Sequence, residues 1–174
     1  ICLVACQRQG GITRSYTESQ RLQLDTSAVR SKNIDSLTVL VNRYKRSKER
    51  DKEMAAYAEL GHCFLNANRY TSAIAAHQNQ LELAVELDDT LMRASALNDL
   101  GVNYRRMGLH YEALSNHLAA VEVSSMADEE SRYKYLKCMA IGYNGCGNSY
   151  MSVANYQKAD EMLRKALAIE TKLG

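Results

Sequence analysis

Proline and tryptophan are absent from the 174 residues, and phenylalanine occurs once. A chain without proline has nothing to break a long helix, and the abundance of Ala, Leu, Glu, Lys, Arg and Gln favours helix formation. Regular strand-and-turn signals are missing, which excludes sandwiches and barrels. No apolar run approaches the 18 residues of a membrane-spanning helix. Charge of one sign is also lacking: 22 basic side chains stand against 20 acidic ones. Non-specific nucleic-acid binding needs a net basic face, so it is not expected here. What remains is a soluble, all-helical chain with 11 tyrosines and 7 methionines.

The middle of the chain repeats. Leu60-Gly61, Leu100-Gly101 and Cys146-Gly147 align on their glycines, and Phe64, Tyr104 and Tyr150 follow three residues later. Ala73, Ala113 and Ala159 lie twelve residues after the glycines, and Tyr70, His110 and Tyr156 nine after. Four residues before each glycine come Tyr57, Leu97 and Tyr143. These offsets put the glycine and its apolar neighbours on one helical stripe. A glycine there removes the side chain that would hold a second helix away, and the alanine permits the same approach from the other side. Short polar turns separate the two helices at Asn66–Arg69, Met107–His110 and Val153–Asn155. Asp88-Asp89 and Asp128-Glu129-Glu130 supply helix-start chemistry between hairpins.

This arrangement closely resembles the tetratricopeptide repeat. The resemblance implies an all-α fold, a right-handed α-α superhelix of antiparallel hairpins. Gly61 to Gly101 spans 40 residues and Gly101 to Gly147 spans 46, against the family's usual 34. The extra length falls between the alanine and the next glycine, as in the extended repeats of kinesin light chains and some bacterial regulators. The expected organisation is three hairpins at about 50–89, 90–128 and 129–174, preceded by a degenerate hairpin over 16–49. Leu37, Leu40, Val41 and Tyr44 mark the second helix of that degenerate unit. No polar capping helix follows the third hairpin, and the native protein is expected to continue beyond Gly174.

Residues 1–15 read as a tether. Leu3-Val4-Ala5-Cys6 resembles a bacterial lipobox, with Cys6 as the lipidated residue; the alternative is an apolar stub of a first helix. Lipidation of Cys6 would make this an exported, membrane-anchored lipoprotein on the periplasmic side, held by its lipid alone. Without it the chain would be cytoplasmic. Cys63, Cys138 and Cys146 have neither the number nor the spacing of a disulfide framework or a zinc knuckle, and read as buried small hydrophobes.

No catalytic cluster is legible, so the chain is not expected to be an enzyme. The stretch from Gly142 to Asn148 lacks the order of a phosphate loop and reads as small residues on a tightly packed helix. His77 and His117 lie one repeat apart, each sixteen residues after its glycine, and the third unit has Leu163 there. Repeat spacing therefore accounts for them, and neither a metal nor a cofactor is expected. His62 beside Cys63 points about 100° away from it on a helix, which discourages a nucleophile–base pair.

Binding residues are expected on the first-helix stripe that lines the concave groove in the resembling family. That stripe includes His62, Asn98, Arg105, Asn144 and Asn148, with Arg106 adjacent. Asn98 and Asn144 hold equivalent positions, and a ladder of amides can pair with the backbone of an extended peptide. Arg105 and Arg106 would receive an acidic residue or a C-terminal carboxylate. The alternative is an ordinary solvated face. The expected partner is a peptide or protein segment, held by a non-enzymatic scaffold. A second expectation is the extracytoplasmic sensory region of a bacterial histidine kinase or LuxR-type regulator.

Residues 30–52 carry eight basic and three acidic side chains, whereas residues 80–99 carry one basic and five acidic. The basic segment could lean on anionic headgroups, or be a solvated face without a partner.

Overall fold

The computed structural model describes residues 33–126 and 132–174. Cys6 and the tether, residues 16–32 of the degenerate hairpin, and Asp128-Glu129-Glu130 lie outside the described residues. Seven helices and no strand occur among the described residues: α1 (Ile34–Ser47), α2 (Arg50–Asn66), α3 (Tyr70–Glu86), α4 (Thr90–Arg106), α5 (His110–Ser125), α6 (Arg132–Ser152) and α7 (Tyr156–Leu173). They fall into two compact units divided after Met92. Among the described residues, no helix is long and apolar enough to cross a membrane.

In the first unit, Asn33 starts α1 by accepting the Asp35 amide at 2.8 Å through its side chain. Leu37, Leu40, Val41 and Tyr44 follow the i, i+3, i+4, i+7 pattern and are all buried. They meet Met54, Ala56 and Leu60 of α2 and Leu83 of α3 in one apolar core. α2 packs against both α1 and α3, so apolar residues cover more than one of its faces. At the α1–α2 turn, Arg50 reaches Glu53 at 2.9 Å and Glu86 at 3.3 Å, and Lys52 pairs with Glu49. The basic run is thus partly neutralised within its own unit.

One turn design recurs. Lys48, Asn68, Asp88, Gly108 and Ala154 all have φ between 53° and 78°. After each left-handed residue, the next amide returns to a carbonyl five residues back: Glu49 to Tyr44, Arg69 to Phe64, Asp89 to Ala84, Leu109 to Tyr104 and Asn155 to Tyr150, at 2.8 to 3.1 Å. This is the Schellman closure, which satisfies otherwise orphaned carbonyls at a helix end. Glycine is used once among these five positions, at Gly108, and asparagine once, at Asn68; Lys, Asp and Ala accept the left-handed conformation at a small steric cost.

The repeat glycines are notches. A Cβ on Gly61 would fall 2.5 Å from the His77 ring, on Gly101 2.6 Å from the His117 ring, and on Gly147 2.6 Å from Leu163 Cγ. The residue sixteen after each glycine is therefore the knob. Ala73, Ala113 and Ala159 are buried nearby as plain close-packing residues.

Candidate functional site

The second unit gives its notch a more elaborate occupant than the first. His117, on α5, is fully buried with its ring between Gly101 of α4 and Gly145 of α6. A Cβ at Gly145 would collide with the same ring, and one at Gly142 would meet Val121 and the Asn98 amide oxygen. The small residues of α6 are there so that three helices can close around one imidazole.

Hydrogen bonds fix the tautomer of that imidazole. Asn98 Nδ2 donates to the Cys138 carbonyl at 2.9 Å, which turns its Oδ1 toward His117 Nδ1 at 3.1 Å. Nδ1 therefore carries the proton and donates it, leaving Nε2 as a buried lone pair without a partner. Burial, aided by the nearby Arg105 cation, pushes the pKa of His117 down to about 4. The ring is neutral at physiological pH.

Above it lies a cavity of about 210 Å³. His117 and Gly145 contribute to its lining, Val102, Ala140 and Ile141 give apolar walls, and Arg105, Asn144, Asn148 and Glu170 give polar ones. Asn144 is exposed. Asn148 Nδ2 donates to Asn144 Oδ1 at 2.7 Å. The couple therefore presents the Asn144 amide N–H groups as donors and the Asn148 carbonyl as acceptor.

The sequence-derived site residues divide on this geometry. Arg105, Asn144 and Asn148 come together around the cavity. Asn98 does not join them: it is buried, and its amide is committed to His117 and Cys138. The expected ladder of equivalent asparagines is replaced by a pair on a single helix. Arg106 is exposed and takes no part in the cavity lining. His62 belongs to the first unit, where its ring lies 5.2 Å from that of His77. Glu170 joins the lining from α7, a second helix, and so lies outside the first-helix stripe.

The three described cysteines offer little nucleophilic chemistry. Cys63, Cys138 and Cys146 are buried, and burial pushes the Cys146 thiol up to about 12. Asp89 is the other perturbed group. Its carboxylate accepts from the Met92 amide at 2.9 Å at the start of α4, while burial pushes its pKa up to about 6.

Residues 56–91 match the family model described as tetratricopeptide repeat. No curated protein matches the chain. Among solved structures, the TPR domain of Arabidopsis FLU is 24% identical, with 70% of this chain and 98% of that one covered and a TM-score of 0.63. BtubC (BKLC) from P. vanneervenii is 18% identical, with 89% of this chain and 59% of that one covered and a TM-score of 0.71. MamA is 21% identical, with 89% and 94% covered and a TM-score of 0.53. These likenesses identify the fold as an all-α helical repeat of the tetratricopeptide kind.

Proposed function

We propose that this tetratricopeptide-like chain is a protein-interaction scaffold, and that its second unit holds an extended peptide segment over α4 and α6. The observation that carries the reading is the cavity above His117. Its exposed rim offers the Asn144 donors, the Asn148 acceptor and the Arg105 cation, while Val102 and Ile141 offer apolar contact. An extended backbone presents alternating N–H and C=O groups, which an orientated amide couple can satisfy without reading side chains. The neutral, immobile His117 gives this surface a rigid floor, and rigid elements bind with less ordering cost than loops.

The test is selection of peptides from a random display library on the purified chain, followed by titration calorimetry. Replacing Asn144 and Asn148 together by Ala should weaken a selected peptide by about 1–3 kcal/mol through lost hydrogen bonds. Unchanged affinity, with the helical circular dichroism intact, would remove the amide couple from the binding surface. An absence of any selectable peptide would reject the scaffold reading itself.

A further inference from the structure

The cavity above His117 is bipolar, and this suggests what kind of segment it selects. Arg105 and Glu170 line the same space of about 210 Å³ from different helices, and among the described residues neither is engaged in an ion pair. Two opposite charges facing one cavity without meeting each other leave an anionic and a cationic position open in whatever fills it.

Their separation follows from the helix registers. Asn98 lies against Cys138 and Gly142, and three residues on Gly101 faces the same His117 ring as Gly145, so α4 and α6 run side by side in the same direction. Arg105, seven residues beyond Asn98, is then level with the stretch from Gly145 to Ser149. Gly147 lies against Leu163, and Lys165 sits over the Tyr143 ring at 5.7 Å, so α7 runs antiparallel to α6. Glu170, seven residues beyond Leu163, is then level with Ala140. The two backbone positions are about 10 Å apart along the helix axes, at a rise of about 1.5 Å per residue. Both side chains are long, and both contribute to the lining of the cavity.

Alternate residues of an extended chain share a face and recur about every 7 Å. We propose that the cavity selects a segment carrying one acidic and one basic side chain two residues apart, the acid on Arg105 and the base on Glu170. A segment with a single charge, or with two of the same sign, faces attraction at one end and repulsion or an unmatched charge at the other. Because the two ends differ, the order of the charges sets the direction in which the segment lies. This inference rests on the scaffold reading above and adds the chemistry of the bound segment to it.

The experiment uses peptides with blocked termini, built on a segment selected by display, with Asp-x-Lys, Lys-x-Asp, Asp-x-Asp, Lys-x-Lys or Ala-x-Ala at the centre. The intact chain should bind one of the two mixed orders about tenfold more tightly than the reverse order, and both like-charge peptides more weakly still. Arg105→Glu and Glu170→Lys should each weaken the preferred peptide about fivefold. The double exchange Arg105→Glu/Glu170→Lys should invert the preference, so that the reversed order binds better. Inversion needs a folded protein, so it cannot arise from damage to the fold. Equal affinity across the panel, or a double exchange that keeps the original preference, would overturn the charge-pair inference and leave the scaffold reading standing. Failure of every peptide would sink both.

Discussion

His77 in the first unit and His117 in the second fill the same notch, sixteen residues after a repeat glycine, and both are fully buried. Their hydrogen bonds differ. His77 Nδ1 meets Gln80 Oε1 at 2.9 Å, one turn along the same helix. His117 Nδ1 reaches across to Asn98 of α4, which in turn holds the Cys138 carbonyl of α6. The third hairpin puts Leu163 in its notch and makes no polar contact there. The repeat therefore specifies a volume that a flat ring or a leucine can satisfy. What that ring is bonded to is left to each hairpin, and in the second unit the bond ties three helices together beneath a cavity.

The notch itself should be the most sensitive point of this comparison. Gly101→Leu would drive a branched side chain into the His117 ring, which has Gly145 on its other side and nowhere to retreat. We expect this substitution to cost more than about 4 kcal/mol, beyond typical overpacking because the displaced group is itself sandwiched. Thermal or urea unfolding would read it directly. A cooperatively melting Gly101→Leu protein of near-native stability would show that the notch and knob are not the packing unit of the repeat.

A smaller effect separates the two histidines. His117→Leu keeps an apolar knob of the kind seen at Leu163 but strips Asn98 Oδ1 of its donor inside the protein. The expected cost is about 1–3 kcal/mol, the penalty for a buried polar atom left unsatisfied. In the first unit, the paired change His77→Leu/Gln80→Ala removes donor and acceptor together and reproduces the Leu163 and Ala166 combination of the third hairpin. That pair should cost less than His117→Leu, because it removes the donor and the acceptor of the Nδ1 hydrogen bond together. Equal losses in the two units, measured by chemical unfolding, would contradict the distinction between a local bond and a bridging one.

Much of this was legible in the sequence, and the reasons are physical. Notch positions, the apolar stripe of α1 and the helical character follow from spacing, because a helix fixes which residues share a face. The turns near 66–69, 107–110 and 153–155 are legible as polar breaks, although only Gly108 among the left-handed residues is a glycine, Lys48, Asn68, Asp88 and Ala154 being the others. The cavity was only half legible. Arg105, Asn144 and Asn148 lie on the first-helix stripe, but Glu170 arrives from the antiparallel register of α7, which no local pattern encodes. Asn98 was misplaced because equivalence in the repeat does not imply equal burial. Its neighbours on other helices, His117 and Cys138, decide that its amide faces inward, whereas Asn144 faces out.

The remaining contrast between the units is in their response to pH. Asp89, in the first unit, has a folded pKa of about 6, raised by burial from the ordinary 3.8. The native state therefore holds its proton more tightly than the unfolded chain. Its contribution is fully present below about pH 4, is lost as pH rises toward 6, and stays lost above. His117, in the second unit, is held down to about 4 from the ordinary 6.5. There the unfolded chain takes up the proton first, so stability present above about pH 6.5 is lost as pH falls toward 4. Acidification should therefore firm the first unit while loosening the second. Asp89→Asn keeps an oxygen acceptor for the Met92 amide and removes the desolvated charge. It should stabilise the protein by about 1–2 kcal/mol at neutral pH, part of the burial penalty being offset by the lost attraction between carboxylate and helix dipole. Native-state hydrogen exchange at pH 5 and pH 7 would resolve the units separately, with protection corrected for the intrinsic pH dependence of exchange. In Asp89→Asn the pH response of α1 to α3 should flatten while that of α5 to α7 persists. Parallel pH responses of the two units in the unaltered protein would mean that these two buried groups do not govern the local stability of the helices around them.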